Sequence, residues 1–130
     1  ALWPAWRADE VLHGRLRGAI DLVFRWQGRY HVLDYKTNQL GLRRADYDSS
    51  ALSAAMDARH YRLQALLYSV ALHRHLRLCL RDYDPARDLG DSWYLFLRAL
   101  GLAPGLGVWR GSWPIALIET WDRLFDGGRA

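Results

Sequence analysis

Residues 19–36 read AIDLVFRWQGRYHVLDYK, and this stretch decides the fold. Two runs of β-forming residues, 19–25 and 30–36, flank Gln27-Gly28, a dipeptide suited to a tight hairpin turn. A turn centred there sets Asp21 directly opposite Asp34 on the paired strands. Directly opposed side chains have Cβ atoms about 4.5 to 5.5 Å apart, and like charges at that spacing repel. Period-2 alternation puts Lys36 on the same face as Asp34, while Leu33 and Tyr35 point the other way. Ile20, Leu22, Val23 and Phe24, with Val32 and Leu33, predict a buried sheet, where unpaired charge is costly. Three ionisable groups are therefore expected to converge on one spot.

Two carboxylates beside one ammonium suit phosphodiester hydrolysis assisted by a hard divalent cation. Carboxylate oxygens hold Mg²⁺, which keeps waters and leaves positions for a phosphate. An ammonium can orient the attacking water or neutralise developing charge. The same spacing also fits two exposed strand carboxylates neutralised by Lys36, because D-x-K alone is a weak motif.

Working outward, the 130 residues suit one domain, 1–130, with its own core. Half the chain is hydrophobic (51%) and a quarter charged (25%), which excludes an intrinsically disordered chain. The longest uncharged apolar stretch, 65–72, is far short of the roughly 20 residues of a membrane span. One cysteine, Cys79, cannot make an internal disulfide, a four-thiolate zinc site or an iron–sulfur cluster, which fits a reducing, cytoplasmic setting. The net charge of +4 permits nucleic-acid binding without demanding it. Every basic residue but Lys36 is Arg, which singles out that ammonium. A chain that begins at Ala1 with Met56 as its one methionine is expected to be a piece of a longer protein.

Beyond the hairpin, 37–46 reads as a polar loop and Asp48 or Ser49 as the N-cap of a helix through Met56. A second helix is expected over 61–80, bent from the first near Arg59-His60. On it Arg62, Ser69, His73 and Arg77 form a solvent stripe, with Gln64 and Tyr68 opposite. Residues 92–99 read as an internal strand with Trp93 in the core, 101–114 as loop, and Pro114 as the start of a helix ending at Gly127-Gly128. Strands, helices, strand and helix in that order predict a mixed α/β sheet with helices packed on it.

The sequence 18–24, then Gly28-Arg29-Tyr30, then Leu33-Asp34-Tyr35-Lys36-Thr37-Asn38, then Tyr61-Arg62-Leu63-Gln64 through Tyr68 to Arg74, resembles the C-terminal nuclease domain of the RecB family. These are helicase-nuclease subunits of exodeoxyribonuclease V, the RecBCD enzyme. The likeness continues through Tyr83-Asp84 and 94–98. It implies the restriction-endonuclease-like PD-(D/E)XK fold, here lacking its N-terminal helical segment. It implies Asp21 and Asp34 as metal ligands with the backbone carbonyl of Tyr35, Lys36 as the catalytic lysine, and Gln64 and Tyr68 as the Q-x-x-x-Y pair near the site. Thr37 and Asn38 can hydrogen-bond near phosphate or shape the turn. Two departures stand out. The further acidic residue such nucleases usually carry would lie before Ala1, with Glu10 too close to the Asp21 strand to replace it. Gly90-Asp91 stands where many relatives have two glycines.

The five histidines show no zinc-ligand spacing, and His73 and His75 are expected at the surface or a helix end. Arg15 with Arg17, and Arg74 with Arg77 and Arg81, can track DNA or simply face solvent. Arg43 and Arg44, after the D-x-K strand, are the better DNA contacts. Some of Trp3, Trp6, Trp109, Trp113 and Trp121 are expected to pack on the rest of a parent chain or a partner, leaving an apolar patch.

The function implied is a Mg²⁺-dependent nuclease domain that cuts DNA during double-strand break repair and recombination, weak or inactive as an isolated piece. Its partners would be DNA, the helicase motor in the rest of a RecB chain, RecC and RecD, and RecA. The chain has no nucleotide-binding G-x-x-x-x-G-K-[ST] loop, so the motor lies elsewhere. The alternative is a non-catalytic module that keeps the nuclease fold to dock DNA or a recombinase.

Overall fold

The computed structural model describes residues 20–103 and 105–126. The readings that fall on Trp3, Trp6, Glu10, His13, Arg15, Arg17 and Gly127-Gly128 lie outside the described residues.

Strands β1 (Leu22–Trp26) and β2 (Arg29–Lys36) form the hairpin, paired antiparallel from Leu22 with Leu33 to Trp26 with Arg29. Gln27 and Gly28 both have positive φ, 51° and 77°, as the favoured two-residue turn requires. Glycine supplies that conformation without a Cβ penalty. The register is the expected one, and one step beyond Leu22 it sets Asp21, in a bend before β1, against Asp34.

A 3-10 turn (Arg44–Tyr47) leads to helix α1 (Ser49–Ala58), whose N-cap Asp48 accepts the Ala51 N–H at 2.9 Å. His60, in the left-handed region, separates α1 from α2 (Tyr61–Cys79). The short α3 (Pro85–Asp88) then delivers β3 (Leu89–Phe96) parallel to β2, completing a helical crossover. Strand β4 (Val108–Gly111) pairs antiparallel with β3, and α4 (Ile115–Phe125) follows Pro114. The sheet order is β1-β2-β3-β4. Two expectations are corrected here. The 101–114 stretch contains a strand, too short to show alternation, that exists through its pairing with β3. And β3 starts at Leu89, because Leu89 pairs with Tyr30 across an irregularity between Tyr30 and Val32.

Helix α2 lies on the inner face of the sheet. Tyr68, Ala71, Leu72 and Leu76 pack on Val23 and Val32, while Ala65 joins Met56, Tyr47, Tyr94 and Phe96. Burying such a side chain fully contributes roughly 1.5–3 kcal/mol. The far side of α2 is covered by α4 through Leu66, Val70 and Ile118. That double cover breaks the expected solvent stripe in the middle: Ser69 and His73 are only 2% and 4% exposed, while the Arg62 and Arg77 side chains at its ends reach solvent. Ser69 Oγ lies 2.7 Å from Ser92 Oγ, and His73 Nδ1 lies 2.8 Å from the Tyr83 hydroxyl. His75 is buried as well, against the expectation of a surface residue. Arg74 and Arg77 are held at 2.6 Å by Asp126 and Asp122 of α4, so this arginine cluster is a helix–helix tie.

The tryptophans are also redistributed. Trp109 and Trp113 pack on the Tyr94 and Phe96 cluster, and Trp113 with Trp121 on that of Leu66, Val70 and Ile118, each of them partly buried. Large apolar side chains are exposed on the helices, with Leu78 at 80% and Leu124 at 60%, and on the outer face of the sheet, where Trp26 and Tyr35 are 43% and 42% exposed. Trp93, expected in the core, is half-buried on that face, edge-on to Phe24, Trp26 and His31. Gly90 has a clear reason: a Cβ there would come within 2.5 Å of the His31 ring.

Candidate active site

The site is built where the end of β2 meets the start of α2. Alternation turns Asp34 and Lys36 toward the helix and Tyr35 outward. Asp21 is exposed, and its Oδ2 accepts the Tyr35 backbone N–H at 2.8 Å. Asp34 is 5% exposed. Lys36 Nζ lies 2.7 Å from the buried Asp34 Oδ2, which accepts no other hydrogen bond. Burial pushes the Asp34 carboxyl up, the Lys36 ammonium opposes the rise, and the nearby Asp21 carboxylate adds to it.

Gln64 and Tyr68 stand one turn apart on α2, so the helix delivers both to the same place. Gln64 Oε1 accepts from Lys36 Nζ at 3.1 Å and from the Tyr94 hydroxyl at 2.5 Å, and Gln64 Nε2 donates to the Tyr68 hydroxyl at 3.2 Å. Burial, reinforced by Asp34, raises the Tyr68 and Tyr94 phenols, so both stay protonated. The two carboxylates, the lysine, Gln64 and Tyr68 are thus brought together as one connected group.

The remaining candidates divide. Asn38 exchanges hydrogen bonds with the Tyr61 hydroxyl, donating at 3.0 Å and accepting at 3.3 Å, so its amide shapes the site wall. The Thr37 carbonyl accepts from Arg98 Nε at 2.7 Å. Arg43 and Arg44 are exposed on the turn after β2, with Arg43 tied to Asp46.

Sequence reasoning missed Tyr61 and Tyr94. Tyr94 is fully buried and is the register partner of Asp34, a pairing fixed only once β3 docks in parallel. Tyr61 precedes Gln64 by three residues, a spacing that places both on one helix face and was open to reading.

The chain is similar in sequence to known proteins. The chain is 45% identical over 116 residues to the RecBCD enzyme subunit RecB of Haemophilus influenzae, covering 89% of this chain and 10% of that protein. It is 47% identical over 136 residues to the RecB subunit of Mycobacterium tuberculosis, covering 98% and 12%. It is 44% identical over 117 residues to that of Escherichia coli, covering 89% and 10%. The chain therefore spans about a tenth of the length of these curated relatives. Residues 5–123 match the PD-(D/E)XK nuclease superfamily. With opposed aspartates, a lysine two residues after the second and a mixed sheet that carries Asp34 and Lys36 on β2, the chain belongs to the PD-(D/E)XK nuclease superfamily.

Proposed function

We propose that this chain is the nuclease domain of a RecB-type subunit of exodeoxyribonuclease V, which hydrolyses DNA phosphodiester bonds with Mg²⁺ during double-strand break repair and recombination. The observation that carries the reading is Asp21 set against Asp34 with Lys36 at 2.7 Å from the second carboxylate. A protein with no chemistry to perform has no use for two opposed acids, one of them buried.

The donor set fits a hard cation. Asp21, Asp34 and the backbone carbonyl of Tyr35 offer oxygens alone, and the buried Asp34 Oδ2 accepts no hydrogen bond besides its Lys36 contact. Among the described residues no three His, Cys, Asp or Glu side chains form a ready cluster, so Asp21 and Asp34 would hold the cation with the Tyr35 carbonyl. When bound, the cation acidifies a water and stabilises charge on phosphoryl oxygens. The residues of the chain do the rest. Lys36 orients the attacking water or neutralises the charge that develops on the phosphate. Gln64 fixes the ammonium, and Tyr68 and Tyr94 fix Gln64. Arg43 and Arg44 lie open to solvent to meet the DNA backbone, and Asn38 supports the wall beside them.

The partners follow from the same reading: DNA as it leaves a helicase motor in the rest of the RecB chain, RecC and RecD as subunits, and RecA downstream in the cytoplasm. Among the described residues no helix is long and apolar enough to cross a membrane. The test is Asp34→Ala and Lys36→Ala in the full-length protein. Both abolish DNA cutting and leave DNA-stimulated ATP hydrolysis intact. Unimpaired cutting would sink the reading, and loss of both activities would point to a docking or folding role.

A further inference from the structure

We propose that Tyr61, anchored by Asn38, is a positioning residue: its ring face and the Gln64 amide oxygen hold the Lys36 ammonium in place when a cation takes Asp34. The role rests on the nuclease reading above, but the geometry does not. Lys36 Nζ sits 4.1 Å from the centre of the Tyr61 ring and 5.2 Å from that of Tyr94, with Gln64 Oε1 at 3.1 Å. An aromatic face attracts an ammonium through its quadrupole, more strongly when both are withdrawn from water. The Lys36 side chain is only 14% exposed.

The reason for such a cage lies in Asp34. Its Oδ2 is the oxygen that Lys36 approaches to 2.7 Å, and it is also a donor that a divalent cation would take. A cation on that carboxylate repels the ammonium. A lysine held by Asp34 alone would then swing into solvent on its flexible stem, losing the position its role requires. The Tyr61 ring face offers a hard cation no oxygen, and Gln64 Oε1 is already taken by Lys36 and the Tyr94 hydroxyl. The two hydrogen bonds between Asn38 and the Tyr61 hydroxyl fix the ring over the ammonium, and Tyr94 fixes Gln64 from below.

The chain contains a single lysine, which makes the test direct: with ¹³C-labelled lysine, the side-chain methylene beside Nζ gives one NMR signal. In the wild-type chain the aromatic ring shifts that signal upfield of free lysine, and the shift persists when Mg²⁺ is added. Tyr61→Phe keeps the ring but loses its Asn38 anchor, so the shift shrinks without vanishing. Tyr61→Leu returns the signal toward the free-lysine position, and in the full-length protein it lowers kcat about 100-fold with KM for DNA unchanged. If Tyr61→Leu fails to fold, Asn38→Ala frees the ring without touching the core and reduces the shift. A wild-type signal at the free-lysine position, or one that moves there on adding Mg²⁺, overturns the proposal. So does a shift that survives Tyr61→Leu. A persistent shift in a protein whose Asp34→Ala variant still cuts DNA would uphold the cage and reject the nuclease reading. The reverse pair of results would do the opposite.

Discussion

The backbone N–H of Tyr35 donates to the Asp21 carboxylate at 2.8 Å, so the acid at the start of β1 is tied to the strand that carries Asp34 and Lys36. The hairpin sets the spacing of the two carboxylates, and this one bond sets the orientation of the exposed one. Asp21→Asn keeps an acceptor for Tyr35 and removes the charge. Its stability is expected to stay within about 0.5 kcal/mol of wild type. Calorimetric titration with Mn²⁺ should show binding in the wild-type chain and its loss in both Asp21→Asn and Asp34→Ala. Undiminished binding in the two variants would move the metal away from the hairpin.

Acid should destabilise the fold through its histidines. Burial lowers the His31, His73 and His75 pKa values, that of His75 to about 4 against an ordinary 6.5. A depressed folded value means that the unfolded chain binds the proton more readily. The stability is therefore complete above pH 6.5 and falls as the pH drops toward 4. For His75 alone the loss is up to about 3 kcal/mol. Urea unfolding at a series of pH values should show this fall, and His75→Leu should flatten it. An unchanged slope in the variant would assign the effect to other groups.

Gly90→Ala should cost about 1–3 kcal/mol, the usual penalty for overfilling a packed site. The added carbon would press on the His31 ring, which is 1% exposed and stacked on Phe24. His31 Nδ1 accepts from both the Asp91 N–H at 2.9 Å and Trp93 Nε1 at 3.1 Å, so the ring cannot step aside without losing them. A denaturation midpoint equal to that of wild type would show that β3 yields more easily than these bonds imply.

Asp122 joins α4 to α2, with Arg77 at 2.6 Å, His73 at 3.4 Å and Arg74 at 3.5 Å, while itself 2% exposed. Asp122→Ala should lower stability by about 2 kcal/mol, in the range of hydrogen bonds to charged groups. In a double-mutant cycle with Arg77→Ala the two losses should fall short of adding. Strict additivity would mean that Arg77 contributes only through its contact with solvent.

Much of the site was legible because a hairpin is a local object. Gln27-Gly28 fixed the register, the register opposed the two aspartates, and alternation placed Lys36 beside Asp34. Asp48 and His60 were likewise readable as cap and break. What escaped depends on which surface packs on which. The sequence of α2 is consistent with an amphipathic surface helix, but the sheet and α4 cover it from two sides, burying Ser69 and His73. Strand β4 has no pattern of its own and takes its form from β3. Tyr94 enters the site only through a parallel pairing that no short-range rule specifies.

That pairing has a consequence for the life of the molecule before it is finished. Asp34 and Lys36 emerge early during synthesis, but their register partners Tyr94 and Phe96 follow only after α1, α2 and α3 of the crossover. Contacts so distant along the chain form slowly, and the entropy of closing the intervening loop is spent before they reward it. A nascent chain that has made only the hairpin therefore carries the carboxylates and the lysine without the Gln64 and Tyr94 contacts that complete the group. On the nuclease reading proposed above, the complete site exists only once β3 has docked, late in the synthesis of this chain.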